Sequence, residues 1–332
     1  MEHQWQPLNR APRTAPRHIV MAEGEDSRII SGARQAIADG IARITLIGNR
    51  DRILKSPEFS SDAGDALQII DPDNSELTSG FAERFQQLRA HKGVTSEQAM
   101  QAVLNSLGFA AMMVRENHAD GTIAGAVATT TDTVRAALQI IGKAADADMV
   151  SSFFLMVLDR PHHTKKGIFI FSDAGLTIEP DVPQLASIAI ASATSFQQLT
   201  GQEPRIAMLS FSTSGSAAHH RVDRVVEATA LVQSLRPDLK ISGELQFDAA
   251  FVPEVAASKA PGAIVQGDAN VFVFPSLEAA NIGYKIAQRI GGAEAIGPVL
   301  QGLLHPANDL SRGCNALDVR HLIAVTCAQV KD

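Results

Sequence analysis

Short apolar, β-branched runs alternate with amphipathic helical stretches along nearly the whole chain, and no feature narrows its fold more: the pattern is that of an α/β protein with mainly parallel strands. Strands are expected at residues 19–21, 43–47, 121–126, 167–171, 205–210 and 270–274. One helix is signposted by Asp181 with Gln184 three residues on, a capping box. Apolar positions follow at Leu185, Ile188, Phe196 and Leu199, and Gly201 supplies the stop. Another is expected over residues 277–289, between Pro275 and Gly291-Gly292. At 332 residues the chain exceeds the size at which single cores stop growing, so two domains are expected. With junctions near residues 142–147 and at Gly291-Gly292, residues 143–291 form one α/β domain, and residues 1–142 and 292–332 together form the other.

Charge and composition exclude several function classes. The 29 basic and 36 acidic residues give a formal charge of −7, with no Lys/Arg tract dense enough to follow a phosphodiester backbone, so nucleic acid is not an expected partner. The longest apolar stretch, residues 153–158, is far too short for a membrane span, and residues 1–17 are polar and Pro-bearing, read as a loose arm. Two cysteines, Cys314 and Cys327, make neither a disulfide framework nor a four-ligand zinc site, and a reducing cytoplasm fits them. The pairs His162-His163 and His219-His220 lack the i, i+4 spacing of helical metal ligands, so no metal is expected. No dinucleotide fingerprint, Walker lysine or nucleophile elbow is present.

In parallel α/β sheets, ligands gather at the carboxyl ends of strands. Three segments have the strand–turn–helix layout. After the strand at 205–210, Ser212, Thr213, Gly215 and Ser216 read either as a phosphate cradle or as an N-cap cluster. After the strand at 121–126, a threonine run including Thr131 leads into a helix with Val134, Leu138 and Ile141 inward. Arg135, placed in its first turn, opposes the helix dipole unless an anion offsets it; a solvated surface arginine is the alternative. Residues 308–318 carry Ser311, Arg312 and Asp318 before a terminal helix. They read either as a set that activates a nucleophile or as an Asn315 cap with Asp318 complementing the dipole. Arg89 and Lys92 close another helix, where cations favour the dipole.

The segments "IVMAEGEDSRII", "GIARITLIGN", "LRAHKGVT", "TTDTVRAALQIIG", "PRIAMLSFSTSGSA", "GELQFDAA", "KAPGAIVQGDANVFVFPSLEAANIGYKIAQR" and "IGPVLQGLLHPANDLSRG" follow in order over about residues 18–330. Together they resemble the phosphate acetyltransferase (phosphotransacetylase) family in its short form. The resemblance implies a fold like the isocitrate and isopropylmalate dehydrogenases, two α/β domains with a cleft between them, and a homodimer. It implies reversible acetyl transfer between coenzyme A and inorganic phosphate, acetyl-CoA and phosphate giving CoA and acetyl phosphate, with no metal or other cofactor. By matching motif, Ser311, Arg312 and Asp318 become catalytic, and Arg89 and Arg135 bind the phosphate side. Ser212 to Ser216 is then expected to hold acyl phosphate or a CoA phosphate, and Asn281, Tyr284 and Lys285 to line the cleft from the second domain. The chain departs from the family at Ala128, where a histidine is common, and at residues 173–177. Phosphate butyryltransferase, a non-catalytic acyl-CoA-sensing domain and a decarboxylating NAD dehydrogenase are the rival readings. The last would need acidic metal ligands that the sequence does not offer.

The implied chemistry is direct attack in a ternary complex. Asp318 takes the thiol proton, the thiolate attacks the acetyl carbonyl, and phosphate leaves. An ordinary carboxylate and an ordinary thiol differ by about 4.6 pKa units, roughly 6 kcal/mol, so Arg312 beside the sulfur is expected to close much of that gap. Ser311 is expected to donate to the carbonyl oxygen as negative charge develops.

Overall fold

The computed structural model describes residues 16–331, so the expected N-terminal arm lies almost wholly outside the described residues. The chain divides into two compact units, one formed by Asp146–Gly302 and the other by the segments on either side of it.

The terminal unit opens with β1 (Arg17–Met21), α1 (Ser27–Ala38), β2 (Ala42–Ile47), α2 (Arg50–Leu54) and β3 (Leu67–Ile70). It continues through α3 (Leu77–Leu88), α4 (Ser96–Leu104), α5 (Ser106–Arg115), β4 (Gly121–Ala124) and α6 (Thr130–Ala136). The central unit comprises β5 (Ser151–Leu158), β6 (Gly167–Ser172), α7 (Val182–Thr200), β7 (Arg205–Leu209), α8 (His220–Leu235), β8 (Lys240–Leu245), α9 (Phe247–Phe251), α10 (Pro253–Lys259), β9 (Val271–Val273), α11 (Leu277–Arg289) and β10 (Glu294–Gln301). The chain then returns to the terminal unit with β11 (Ala307–Asp309) and α12 (Ala316–Gln329).

Five parallel strands make the terminal sheet, in the order β11-β4-β1-β2-β3. Ile19, Val20 and Met21 in its middle are fully buried, as a parallel strand covered on both faces requires. The central sheet runs β10-β5-β6-β9-β7-β8. Its β5 pairs antiparallel with β10 and β6, and the remaining pairs are parallel. A phenylalanine-rich core built on Phe154, Phe169, Phe171, Phe272 and Phe274 lies against it.

The second crossing between units follows β10, at Gly302, and not at Gly291-Gly292. The hydrogen bonds of β10 to β5 hold residues 294–301 in the central sheet. The capping box at Asp181 and Gln184 forms, and Gly201 ends α7 with φ +71°. The helix after the threonines differs from expectation. Past Ala136 it widens into a π-turn over Ala137–Ile141, closed by Gly142 N donating to the Ala137 carbonyl. That extra residue per turn rotates the buried face onto Thr133, Ala137, Ile140 and Ile141, and leaves Leu138 45% exposed.

Candidate active site

At the carboxyl edge of the terminal sheet, the loops after β1, β4 and β11 meet because their strands are neighbours. Leu310 N, just past β11, donates to the carbonyl of Ala124 at the end of β4 (2.7 Å). From the β1 loop, the Glu23 carboxylate accepts the backbone N–H groups of Ala126 (2.7 Å), Val127 (3.0 Å) and Ala128 (2.6 Å). Three amides that could have faced an anion before α6 therefore already hold an internal one, and Ala128 contributes its backbone.

Arg28, in the first turn of α1, ties two loops together. Its guanidinium donates to the carbonyls of Arg312 (2.7 Å) and Cys314 (3.2 Å) on one side and of Ala126 (2.8 Å) on the other. It also grips Asp26, the N-cap of α1, and that bond is the main cause holding the Asp26 carboxyl below its ordinary range. A cation early in a helix is out of place unless a carboxylate answers it. This argument, applied from the sequence to Arg135, holds at Arg28 instead. Thr129 caps α6, so Arg135 lies beyond the first turn, and its guanidinium pairs with Asp132 at 2.8 Å on the exposed surface.

In the β11 loop, Ser311 Oγ accepts Gly313 N at 3.2 Å. The Arg312 side chain is exposed and has no hydrogen bond or ion pair among the described residues. Asp318 Oδ2 accepts Asn315 N (2.9 Å), while Asn315 Oδ1 accepts Leu317 N and Asp318 N. The helix-cap alternative is thus built, and Asp318 Oδ1 has no hydrogen bond among the described residues. Cys314 is buried between these groups. Burial pushes its thiol up and the Asp318 charge adds to that, while Arg28 opposes both.

Thr131 and Arg135 on α6, and Ser311, Arg312 and Asp318 on the β11 loop and the start of α12, thus follow neighbouring strands of one sheet. No described contact joins Arg89 to them. It caps α3 by donating its backbone N–H to the Phe85 carbonyl (3.0 Å), and its half-buried side chain has no hydrogen bond or ion pair among the described residues. One turn earlier, Arg84 pairs with Glu116 and Phe81 packs on His118, residues that precede β4 at its amino end.

In the central unit the hydroxyl turn is organised around a carboxylate of its own. Glu244, at the end of β8 and 5% exposed, accepts Ser212 Oγ and Gly215 N on Oε1, both at 2.8 Å. Ser212 Oγ in turn accepts Ala217 N (3.1 Å), Ser216 Oγ accepts Thr213 N (3.0 Å), and Thr213 Oγ1 accepts Gln246 N (2.9 Å). Gly215 sits at φ +79°, and α8 starts only at His220, with His219 as its cap. The expected phosphate cradle is therefore neither at a helix start nor free of an internal anion. Asn281, Tyr284 and Lys285 lie within α11. Tyr284 stacks on Phe154 (3.9 Å), where burial raises its phenol pKa, and Lys285 Nζ donates to Asn281 Oδ1 (2.8 Å). No described contact links them to the Ser212 turn. At residues 173–177, the buried Asp173 carboxylate accepts Gly175 N, Leu176 N and Thr177 N, together with Ser152 Oγ.

Among the described residues no group of three His, Cys, Asp or Glu is placed to hold a metal, and no helix is long and apolar enough to cross a membrane. His162 and His163 both face the Gly291 carbonyl at 2.8 Å.

A family model described as phosphate acetyl/butaryl transferase matches residues 5–327. A phosphate acetyltransferase of Paracoccus denitrificans is 48% identical over 324 residues, covering 98% of each chain. The solved phosphotransacetylase EutD of Staphylococcus aureus superposes with a TM-score of 0.85 at 43% identity, over 95% of this chain and 94% of that one. A putative 4-hydroxythreonine-4-phosphate dehydrogenase from Salmonella typhimurium shares the fold alone, at 12% identity and a TM-score of 0.55 over 95% of this chain and 100% of that one.

Proposed function

The chain belongs to the phosphate acetyl/butaryl transferase family, and on that footing we propose that it moves an acetyl group reversibly between coenzyme A and inorganic phosphate, without a metal or redox cofactor. The observation that carries the site assignment is the gathering of the Ser311-Arg312 loop and the β4 loop that leads into α6 at one sheet edge through Arg28.

Coenzyme A and acetyl phosphate react directly. Asp318 Oδ1, the oxygen not spent on the cap, takes the thiol proton, and the free Arg312 guanidinium favours the thiolate. Sulfur bonds to the acetyl carbon, the bond from that carbon to the bridging oxygen breaks, and phosphate departs with the electron pair. Arg135 receives it, and Arg89 is assigned beside it by the family motif alone. The exposed pair of Arg135 with Asp132 contributes no more than about 1 kcal/mol, so a phosphate dianion displaces Asp132 readily. Ser311 donates its hydroxyl proton to the carbonyl oxygen as charge builds there. Ser311→Ala is expected to lower kcat about 100-fold, in line with about 3 kcal/mol for one such donor, with KM for acetyl phosphate nearly unchanged.

The reading is tested by thioester formation from CoA and acetyl phosphate in the presence of a chelator, with butyryl phosphate alongside and Asp318→Asn as the control. Failure of the parent to make acetyl-CoA would refute it.

The chain acts in the cytoplasm as a homodimer in this reading. Support for self-association comes from α11 and its C-cap, where Ile282, Ile286 and the capping Ile290 form an i, i+4, i+8 stripe that is 59%, 53% and 83% exposed. Light scattering is expected to give the mass of two chains for the parent and of one for Ile286→Asp. A monomeric parent would rule the dimer out.

A further inference from the structure

Asp309 ends β11, two residues before Ser311, and is 0% exposed. Among the described residues neither of its carboxylate oxygens has a hydrogen-bond partner, and the buried Thr133 Oγ1 has none either. A buried carboxylate left unpaired costs the fold far more than an exposed one, so its presence needs a return elsewhere. Its surroundings are specific. A Cβ on Gly125, which has φ +102°, would come within 2.2 Å of Asp309 Oδ1, so only glycine lets the β4 loop lie this close against the carboxylate. Thr130 and Thr133, both in α6, lie near enough for their hydroxyls to draw its pKa down, against the larger upward effect of burial. Glu23, from the β1 loop, is the charged group facing it.

We propose that Asp309 is a positioning residue for acyl transfer: with substrates bound, its carboxylate accepts the Thr130 and Thr133 hydroxyls and so fixes α6, which carries Arg135, against the loop that carries Ser311 and Arg312. The inference rests on the reaction proposed above. The ionised form is the one that can take both hydroxyls; a protonated or amide side chain has one oxygen fewer to offer. Burial and Glu23 push the carboxyl up to about 6, so the lock is fully available only above that pH.

Asp309→Asn tests this with almost no change of shape. At pH 7.5 it is expected to lower kcat about tenfold, with no loss of thermal stability. The ratio of parent to variant kcat is expected to fall toward one at pH 5, where the parent carboxyl is protonated; taking the ratio cancels the ionisation of substrates. Thr133→Val is expected to reproduce the kcat loss at pH 7.5, and the double variant to add little to either single change. A variant that melts earlier yet keeps its kcat, or a ratio that does not vary with pH, overturns the proposal, as does full additivity of the two substitutions. A parent that makes no thioester at any pH removes the proposed reaction and this inference with it, whereas an active parent with indifferent variants removes the inference alone.

Discussion

Glu23→Ala is expected to destabilise the terminal unit by about 3–5 kcal/mol. One carboxylate accepts three consecutive backbone N–H groups, and hydrogen bonds to a charged acceptor contribute roughly 1.5–3 kcal/mol each; Glu23 is only half-buried, so water recovers part of the total. For a unit of this size, that is a fall in melting temperature of roughly 10 °C. The damage would not stop at stability. The same loop presents the Ala126 carbonyl to Arg28, and Arg28 holds the Arg312 and Cys314 carbonyls, so the β11 loop loses a restraint when residues 126–128 are released. Three converging amides without their carboxylate form a concavity suited to an anion. Added inorganic phosphate is accordingly expected to raise the melting temperature of Glu23→Ala by several degrees more than it raises that of the parent. Calorimetry of the two proteins with and without phosphate is the check. A variant that melts within two or so degrees of the parent would show that the amides are satisfied by water and that Glu23 does not organise this edge.

The contrast between Glu23 and Ser311 shows which part of such a site a sequence carries. Ser311, Arg312 and Asp318 lie in one short segment before a helix, so residue type and spacing announce them. Glu23, Arg28 and Glu244 act on backbone amides and carbonyls brought from distant segments, and a backbone group has no signature in the amino-acid string. The same distinction runs through the fold. Strands β1, β2, β7 and β9 are legible because parallel strands buried on both faces read as unbroken apolar runs, and β6, parallel to β9 and antiparallel to β5, reads the same way. By contrast, β8 contains Gly243 and Glu244, β10 is interrupted by Gly297-Pro298, and β11 is the polar triplet Ala307–Asp309. Each is made a strand by its neighbours in the sheet and not by its own propensity. The misplaced inward face beyond Ala136 has a separate cause, since a helical period of 3.6 cannot anticipate a π-turn. Asp309 is the extreme case: an aspartate two residues before a serine and three before an arginine reads as a solvated loop residue, and only the closure of β11 onto β4 buries it.

Two buried groups in the terminal unit are expected to hide each other's effect on stability. Asp309 is pushed up to about 6 from an ordinary 3.8, chiefly by burial, and His321, 6% exposed in α12, is pulled down from 6.5 to about 4, again chiefly by burial. Each displacement is equivalent to roughly 3 kcal/mol. Their signs are opposite. The folded chain keeps a proton on Asp309 that the unfolded chain has released, so this stabilisation is present below pH 3.8 and is lost as the pH rises through about 6. His321 behaves the other way, because the unfolded chain takes up a proton below 6.5 that the folded chain refuses. Its stabilisation is present above 6.5 and is lost as the pH falls through about 4. The two windows nearly coincide, so the parent should change little between pH 7 and 4 on their account. Asp309→Asn is then expected to lose about 3 kcal/mol relative to the parent over that interval, His321→Gln to gain about as much, and the double variant to run parallel to the parent. Urea unfolding at pH 4, 5, 6 and 7 measures all four curves. Single variants that track the parent at a constant offset would mean that neither group is held in the protonation state its burial demands.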